Sequence, residues 1–146
     1  MQPNLIVNWP AIFVATIAGF VIGGIWYGPL FSKPWAKAMG MSMDKKPDPK
    51  VMRKAFALQF LGLFLTSYVL TFSAQVWRPS VWGLGADAPN YVYGICGAVF
   101  SWVGFYIPLQ FGKISWEMRP WKLFWINVGH DLVTLLTISQ ILAYWR

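Results

Sequence analysis

Four long apolar runs alternate with short polar connections along this chain of 146 residues. A helix rises about 1.5 Å per residue and the hydrocarbon layer of a bilayer is about 30 Å thick, so each run is long enough to cross a membrane. Alternating segments of about ten residues, which are typical of a membrane barrel, do not occur. We therefore predict an all-α bundle of four transmembrane helices that satisfy their own backbone hydrogen bonds. The predicted spans are residues 9–30, 55–76, 91–111 and 123–145.

The connections are too short to hold a further domain. The longest, residues 31–54, has 24 residues, and charged residues form 12% of the chain against about 25% in a soluble domain. We predict a single transmembrane domain over residues 1–146. The first run lacks a basic stretch before it and a small-residue cleavage site after it, so we expect a span rather than a removable signal peptide. Residues 33–39 are expected to form a short interfacial helix with Trp35 on its apolar side.

Lys and Arg are unevenly divided between the two ends of the predicted bundle. Ten lie in the first and third connections, whereas only Arg78 and Arg146 lie at the other end. Since loops rich in Lys and Arg stay in the cytoplasm, both termini are predicted to face the periplasm or exterior of a plasma (inner) membrane. This rule accounts for the net charge of +7, so no nucleic-acid partner is predicted. The expected partner of these cations is the lipid bilayer. The ten are Lys33, Lys37, Lys45, Lys46, Lys50, Arg53, Lys54, Lys113, Arg119 and Lys122.

Tryptophan favours the two membrane–water interfaces, and nine of the ten tryptophans fall near a predicted helix end. Trp26 is about a turn deeper than the others, and only Trp102 lies near the centre of a span. The predicted interface anchors are Trp9, Trp77, Trp82 and Trp145 at the outer ends and Trp35, Trp116, Trp121 and Trp125 at the inner ends.

Small residues recur at four-residue spacing in the first and third runs, which lets helix backbones approach closely in lipid. These stripes serve either contact within the bundle or homodimerisation, and the spacing alone does not separate the two. Cys96, the only cysteine, is expected to be a small packing residue. The stripes are Ala15, Gly19 and Gly23; Gly24 and Gly28; Gly94 and Ala98; and Gly97 and Ser101, followed by Gly104.

Two segments of the chain resemble each other. Residues 27–33 read Tyr-Gly-Pro-Leu-Phe-Ser-Lys, residues 106–113 read Tyr-Ile-Pro-Leu-Gln-Phe-Gly-Lys, and the second and fourth runs both end in Trp-Arg. The pattern indicates either a parallel internal repeat of two helical hairpins or shared interface chemistry.

The fourth run carries the polar residues most able to do chemistry. His130 is eight residues past Lys122, about 12 Å along a helix, which puts Asp131 near the middle of a roughly 30 Å core. A carboxylate there costs about 2.5–3.5 kcal/mol to insert and is a functional candidate by default. On the second run we predict a facing stripe, with a Gln59–Asn127 amide pair and with Gly62 making room for His130. One face of the fourth run holds Asn127, His130, Asp131, Thr134 and Thr137; the facing stripe holds Gln59, Gly62, Thr66 and Ser73, with Tyr68, Ser101 and Tyr106 in reach.

Three interpretations of His130 and Asp131 stay open at this point. They form a buried pair that fixes helix register, a proton or cation site in a small transporter or channel, or, through His130, a ligand for haem or a chlorophyll-type pigment. The sequence requires no cofactor and, with one cysteine and one histidine, predicts no metal cluster. An enzyme is not expected, because no HExxH, CxxC, GxSxG or phosphate-loop motif occurs. Glu117 is expected to pair with Arg119 or to cap a helix.

Five segments of the chain together carry a resemblance to a known family. They are Asn8-Trp9, residues 23–31 (Gly-Gly-Ile-Trp-Tyr-Gly-Pro-Leu-Phe), Lys33-Pro34-Trp35, Glu117-Met118-Arg119-Pro120, and the last span with Asn127 and Ala143-Tyr144-Trp145. In these segments the chain resembles domain-of-unknown-function family 1761, a family of small bacterial membrane proteins. The resemblance spans nearly the whole chain and implies four helices in a bacterial membrane. It implies no activity, so it supplies no catalytic residue and gives no role to His130 and Asp131.

The leading expectation from the sequence is a non-enzymatic accessory or structural subunit, which packs against a membrane-protein partner or another copy of itself. The runner-up is a small transporter or channel with its proton or cation site at Asp131 and His130. A hydrated route to Asp131 distinguishes the two, because a transporter needs one and an accessory subunit does not.

Overall fold

The computed structural model describes residues 2–42 and 48–146 and is 80% helical, with no strand in this part of the chain. Four helices are long and apolar enough to cross a membrane, which confirms the predicted all-α, four-span architecture. Lys45 and Lys46, counted above among the basic residues, lie outside the described residues. The helices are α1 (Trp9–Leu30), α2 (Ser32–Met39), α3 (Pro49–Val76), α4 (Asn90–Ser115) and α5 (Trp121–Tyr144).

Several helices extend beyond the apolar runs at the end of the bundle where most lysines lie, called the basic side below. α3 begins at Pro49 rather than at residue 55, because proline suits the first helical turn and the Asp48 side chain accepts a hydrogen bond from Lys50 N at 2.8 Å. α4 continues to Ser115 rather than ending at residue 111. The opposite end, which holds residues 2–8, the connection 77–89 and Arg146, is called the terminal side.

The short helix predicted at residues 33–39 forms as α2. It ends at Met39 and is capped by Gly40, whose φ of 68° lies in the left-handed region that glycine adopts without strain. The Trp35 ring packs edge-on against the Tyr27 ring, with centroids 5.6 Å apart, so α2 is attached to the end of α1.

The four spans do not form a square bundle, because α5 lies at its centre and packs against α1, α3 and α4. In the most apolar window of α5, 56% of the residues are buried, against 11–28% in the other three spans. The core contains Ile12 and Ala15 of α1 together with Leu135 and Ile138 of α5. The helix that carries His130 and Asp131 is therefore the one most shielded from lipid.

The small-residue stripes pack inside the bundle, as one of the two interpretations above expected. A Cβ atom on Gly19 would lie 3.1 Å from both Ile138 and Leu63, so α1 approaches α3 and α5 closely here. The contact between α4 and α5 at Gly94 is closer still, since a Cβ atom on Gly94 would lie 2.6 Å from the Gln140 side chain. Ala15 and Ala98 are fully buried, and Gly97 faces Ser139. Gly24, Gly28 and Gly104 make no such contact inside the bundle, since nothing lies within 4 Å of their Cβ positions, and for these three the homodimer interpretation stays a prediction.

Cys96 also lies on the outer surface, and the prediction that it packs in the core is wrong. On α4 the inward positions are taken by Gly94 and Ala98, which flank Cys96 two residues away on either side. A residue two positions from a buried one points to the other side of a helix, so the thiol faces outward.

Both α1 and α4 contain one wide turn of π-helix, at Trp26–Leu30 and Trp102–Tyr106. A proline accompanies each, Pro29 within the first and Pro108 just after the second, and proline cannot donate the backbone hydrogen bond that a regular turn needs. Each π segment opens with a tryptophan that donates its indole N–H to α5, Trp26 to Ile126 O at 3.0 Å and Trp102 to Val128 O at 2.8 Å. These two indoles therefore point inward, unlike the exposed Trp77, Trp116 and Trp121 at helix ends.

The terminal side is closed by a buried arginine. Arg78 is 0% exposed, and its guanidinium donates to Ala74 O, Ala143 O and Asn90 Oδ1 at 2.9–3.0 Å. It also pairs with Asp87 at 3.4 Å and lies over the Tyr93 ring, 4.2 Å from the centroid. One cation thus joins the end of α3, the connection after it, the start of α4 and the end of α5.

Candidate functional site

A chain of hydrogen bonds connects the polar residues of α5 to α1 and α4. The Tyr27 hydroxyl donates to Asn127 Oδ1 at 3.0 Å, Asn127 Nδ2 to Gln110 Oε1 at 3.4 Å, and Gln110 Nε2 to Asp131 Oδ2 at 3.0 Å. On its other oxygen Asp131 contacts His130 Nδ1 at 3.3 Å. His130 Nε2 in turn contacts the Thr134 hydroxyl at 3.3 Å. Asn127, His130, Asp131 and Thr134 therefore share one face of α5, as their spacing predicted.

The partners predicted for this face on α3 are wrong in two respects. Gln59 does not pair with Asn127, since it is exposed and Asn127 is held by Tyr27 and Gln110 instead. Gly62 does not make room for His130, because nothing lies within 4 Å of the position its Cβ would occupy. The room is made by Gly23 of α1, whose Cβ would lie 3.5 Å from His130 Nε2.

Of the other residues predicted to reach the centre of the bundle, some do and some do not. The Tyr106 hydroxyl shares a hydrogen bond of 3.1 Å with Thr66, so both reach the centre as expected. Tyr68 does not, because it stacks on Trp9 with ring centroids 5.9 Å apart. Thr137 bonds back to Val133 O of its own helix.

A cavity of about 710 Å³ lies between α3, α4 and α5 and reaches this network; we call it the central cavity. Its lining includes Asp131, His130, Gln59 and Thr66 of the helices, together with Lys113, Trp116 and Glu117 of the basic side. A second hollow of about 360 Å³, the side cavity, runs along α2 and also reaches His130 and Asp131. The Asp131 side chain is 14% exposed. The carboxylate is thus open to space that extends from the membrane interior to the basic side.

Of the two cations that line the cavities, Arg119 and Lys113, only Arg119 is paired with a carboxylate in the described part of the chain. Glu117 pairs with Arg119 at 3.5 Å, as the sequence predicted. Lys113 lines both cavities and forms no ion pair with any residue in the described part of the chain. Asp131 is therefore the deep carboxylate of the site, and its immediate neighbours are the neutral amide of Gln110 and the imidazole of His130.

Two central members of the site were not identified from the sequence, Gln110 and Tyr27. Gln110 is 8% exposed and binds both Asn127 and Asp131. An uncharged polar residue inside an otherwise apolar run was the available signal for it. Tyr27 stands at the end of the first apolar run, and within the π-helical turn its hydroxyl reaches Asn127 of α5.

Both ring nitrogens of His130 are engaged, by Asp131 and by Thr134, and the residue is 6% exposed. A haem or pigment ligand needs one nitrogen free to face the metal. Within residues 2–42 and 48–146, no group of three His, Cys, Asp or Glu side chains is placed to hold a metal ion. The arrangement is suited to holding or passing a proton, or to binding a cation at the Asp131 carboxylate.

Comparison with known proteins gives one match. Residues 10–143 match the model of a family described as "Protein of unknown function (DUF1761)". No curated protein and no solved structure matches the chain. Because the matched region covers nearly the whole sequence, the chain belongs to the DUF1761 family.

Proposed function

We propose that this protein is a small, non-enzymatic membrane transporter in which Asp131 and His130 form a proton or cation site. The observation that carries the proposal is the central cavity, which connects the Asp131 carboxylate to the basic side of the bundle. A pair that only fixes helix register needs no such opening. A carrier or channel needs one, because its ion must reach the membrane interior from water.

The hydrogen-bond network supports a site that changes protonation without losing its structure. Asp131 accepts from Gln110 and contacts His130, so either protonation state of the carboxyl retains a partner. The engaged nitrogens of His130 make haem or pigment ligation the weakest of the three interpretations.

We place the protein in a plasma membrane with the basic side in the cytoplasm, because the Lys- and Arg-rich connections lie on that side. The central cavity then opens to the cytoplasm, and the end closed by Arg78 faces outward. A C-terminal reporter that is active only outside the cytoplasm should be active; an inactive but folded reporter would contradict this orientation.

A pH jump on oriented proteoliposomes tests the transport proposal. Wild-type protein should give a transient charge movement as protons reach Asp131, and Asp131→Asn should lower it at least tenfold while the protein still folds. Asp48→Asn is the matched control, since it removes a carboxylate far from the cavity and Asn caps a helix about as well as Asp. A wild-type signal no larger than that of Asp131→Asn would overturn the proposal.

A second candidate function is the accessory subunit, and α4 is the observation that favours it. Only 11% of its apolar window is buried, and Val103 and Phe105 project outward from it. Such a face contacts either lipid or a partner helix. Purification from native membranes in mild detergent should give a stoichiometric membrane-protein partner if this function is correct, and a chain alone or with its own copies if it is not.

A further inference from the structure

The side cavity and the central cavity adjoin each other around Asp131. Six residues line both of them, so the two cavities reach the same part of the protein interior. The remaining walls of the side cavity come from α1, α2, α5 and the connection between α4 and α5. A solute in the side cavity therefore contacts groups that the central cavity lacks. The shared residues are Gln59, Gln110, Lys113, Glu117, His130 and Asp131.

Two cations of the side cavity are held near each other by the backbone. Lys113 is half-buried in the last turn of α4, and the connection that follows folds back so that Arg119 N donates to Lys113 O at 3.1 Å. The Lys113 ammonium forms no ion pair with any residue in the described part of the chain. Arg119 meets Glu117 through Nε at 3.5 Å, which is longer than a charge-assisted hydrogen bond. Both cations line the cavity and offer hydrogen-bond donors to an anion there.

The net charge of the side cavity depends on the proton of Asp131. The charged side chains that line it are Lys113, Arg119, Glu117 and Asp131. With Asp131 ionised the two signs balance, whereas protonation of Asp131 leaves one positive charge in excess. The protonated state therefore attracts one negative charge, and loss of the proton weakens that attraction. The other titratable groups lining the two cavities are Tyr27 of α1, Tyr106 of α4 and His130 of α5, and α3 contributes none.

The walls of the side cavity suit a small solute with a compact apolar body. Trp35 and Met39 of α2 and Leu123 of α5 supply apolar surface, while Gln110 and Asn127 supply amide groups. The volume of about 360 Å³ lies in the range of small-molecule pockets. Most of the lining side chains are polar or charged, so the long alkyl chains of a phospholipid do not match this cavity.

We propose that the side cavity binds a small monocarboxylate, with its carboxylate at Lys113 and Arg119 and its body against Trp35 and Leu123. The anion binds when Asp131 is protonated, so one anion and one proton move together. This inference rests on the proposed function and names its substrate class. A carboxylate matches the planar fork of a guanidinium, and its single charge matches the one positive charge in excess in the protonated site.

Calorimetric titration of the full chain in phosphatidylcholine nanodiscs tests the inference, with empty nanodiscs as the blank for partitioning. The probes are benzoate, benzamide and isophthalate, which carry one, no and two negative charges on a similar ring. At pH 6 benzoate should bind saturably and at least tenfold more tightly than either of the others. At pH 8.5 wild-type protein should bind benzoate at least tenfold more weakly, whereas Asp131→Asn should bind it equally well at both pH values. Equal binding of benzoate and benzamide, or a pH dependence that persists in Asp131→Asn, would overturn the inference.

The anion site is tested by removing one cation at a time. Lys113→Gln should weaken benzoate binding at pH 6 at least tenfold, and Lys113→Arg, which keeps the charge, should retain most of it. Lys122→Gln is the matched control, because Lys122 is an exposed cation of the same side that lines neither cavity, and it should leave binding unchanged. Equal benzoate affinities of the two glutamine variants would overturn the inference.

A third arm separates a soluble carboxylate from an anionic lipid. In nanodiscs that also contain phosphatidylglycerol, the difference in benzoate binding between Lys113→Gln and Lys122→Gln should persist. Loss of that difference would show the lipid phosphate at Lys113 and overturn the assignment. The outcome is separable from that of the pH jump. A charge movement without benzoate binding contradicts this inference alone, and saturable benzoate binding that depends on Lys113 but comes without a charge movement contradicts transport alone.

Discussion

Gln110 connects the two halves of the polar network. Its carboxamide oxygen accepts from Asn127 and its nitrogen donates to Asp131, so one side chain from α4 holds two side chains of α5. Gln110 is nearly buried and makes both of these bonds, so it positions both partners. The position of Asp131 therefore depends on a residue from another helix.

Gln110→Leu should lower the free energy of unfolding by about 1–3 kcal/mol, because Asp131 and Asn127 each lose one of their two hydrogen-bond partners. Unfolding of the protein in mixed micelles measures the change. Gln59→Leu is the matched control and should change stability by less than about 0.5 kcal/mol, since Gln59 is exposed and makes no hydrogen bond to another described residue. Equal effects of the two substitutions would contradict the network.

At the terminal side, Asp87 has a role comparable to that of Gln110, because its one carboxylate holds several groups together. The Ser80 backbone N–H donates to Oδ1 at 2.9 Å and the Ser80 hydroxyl to Oδ2 at 2.8 Å. These bonds, with the nearby Arg78 and Arg146, lower the pKa of Asp87 below its ordinary value. A lowered pKa means that the carboxylate stabilises the fold above its unfolded pKa of about 3.9 and stops doing so as the pH falls through its folded value.

Melting temperatures measured from pH 7 down to pH 2.5 should therefore fall more steeply below about pH 4 in the wild type than in Asp87→Asn. The variant should also be less stable at pH 7, where the wild-type carboxylate is ionised. Parallel curves for the two proteins would show that Asp87 does not hold the terminal side together.

At the scale of helices, close contact between α1 and α5 places the site. Gly19 lets α1 approach Thr134 and Ile138, and Gly23 one turn later leaves room for the His130 ring. The π-helical turn that follows then directs Tyr27 toward Asn127. A regular helix of the same sequence would carry the tyrosine to a different angle, because a π turn contains more residues than an α turn.

Gly19→Leu should destabilise the bundle by about 1–3 kcal/mol, since its side chain would enter space already filled by Leu63 and Ile138. Gly24→Leu on the same helix is the control and should be neutral or slightly stabilising, because nothing lies within 4 Å of its Cβ position. Thermal unfolding in one detergent compares the two. Similar melting temperatures would mean that α1 does not pack on the face described.

The spacing of residues predicted the helices and one face of the site, but not the contacts between helices. Four spans and the shared face of Asn127, His130 and Asp131 follow from apolar run length and from the period of a helix. Matched depth along α3 and α5 predicts a Gln59–Asn127 pair, but α5 meets α1 and α4 at that level instead. Neither the central position of α5 nor the π turns leave a periodic signal that a single sequence shows.

At the scale of the whole molecule the two ends of the bundle differ. The terminal side is closed by Arg78, and by residues 4–6, where Asn4 N donates to Val81 O and Ile6 exchanges two hydrogen bonds with Gln75. The basic side contains the central and side cavities. A structure open at one end and closed at the other is what one state of a transporter requires, and the Asp131 carboxylate lies between the two ends.

The most direct test of this account is the water accessibility of the central cavity. Gly62→Cys, in a Cys96→Ala background, places a thiol on the cavity wall, and Gly24→Cys places one on the outer surface of α1. A membrane-impermeant maleimide added from the basic side should label the thiol at position 62 at least tenfold faster than the thiol at position 24. Equal and slow labelling of both would show that no hydrated route leads toward Asp131, and would contradict the proposed function.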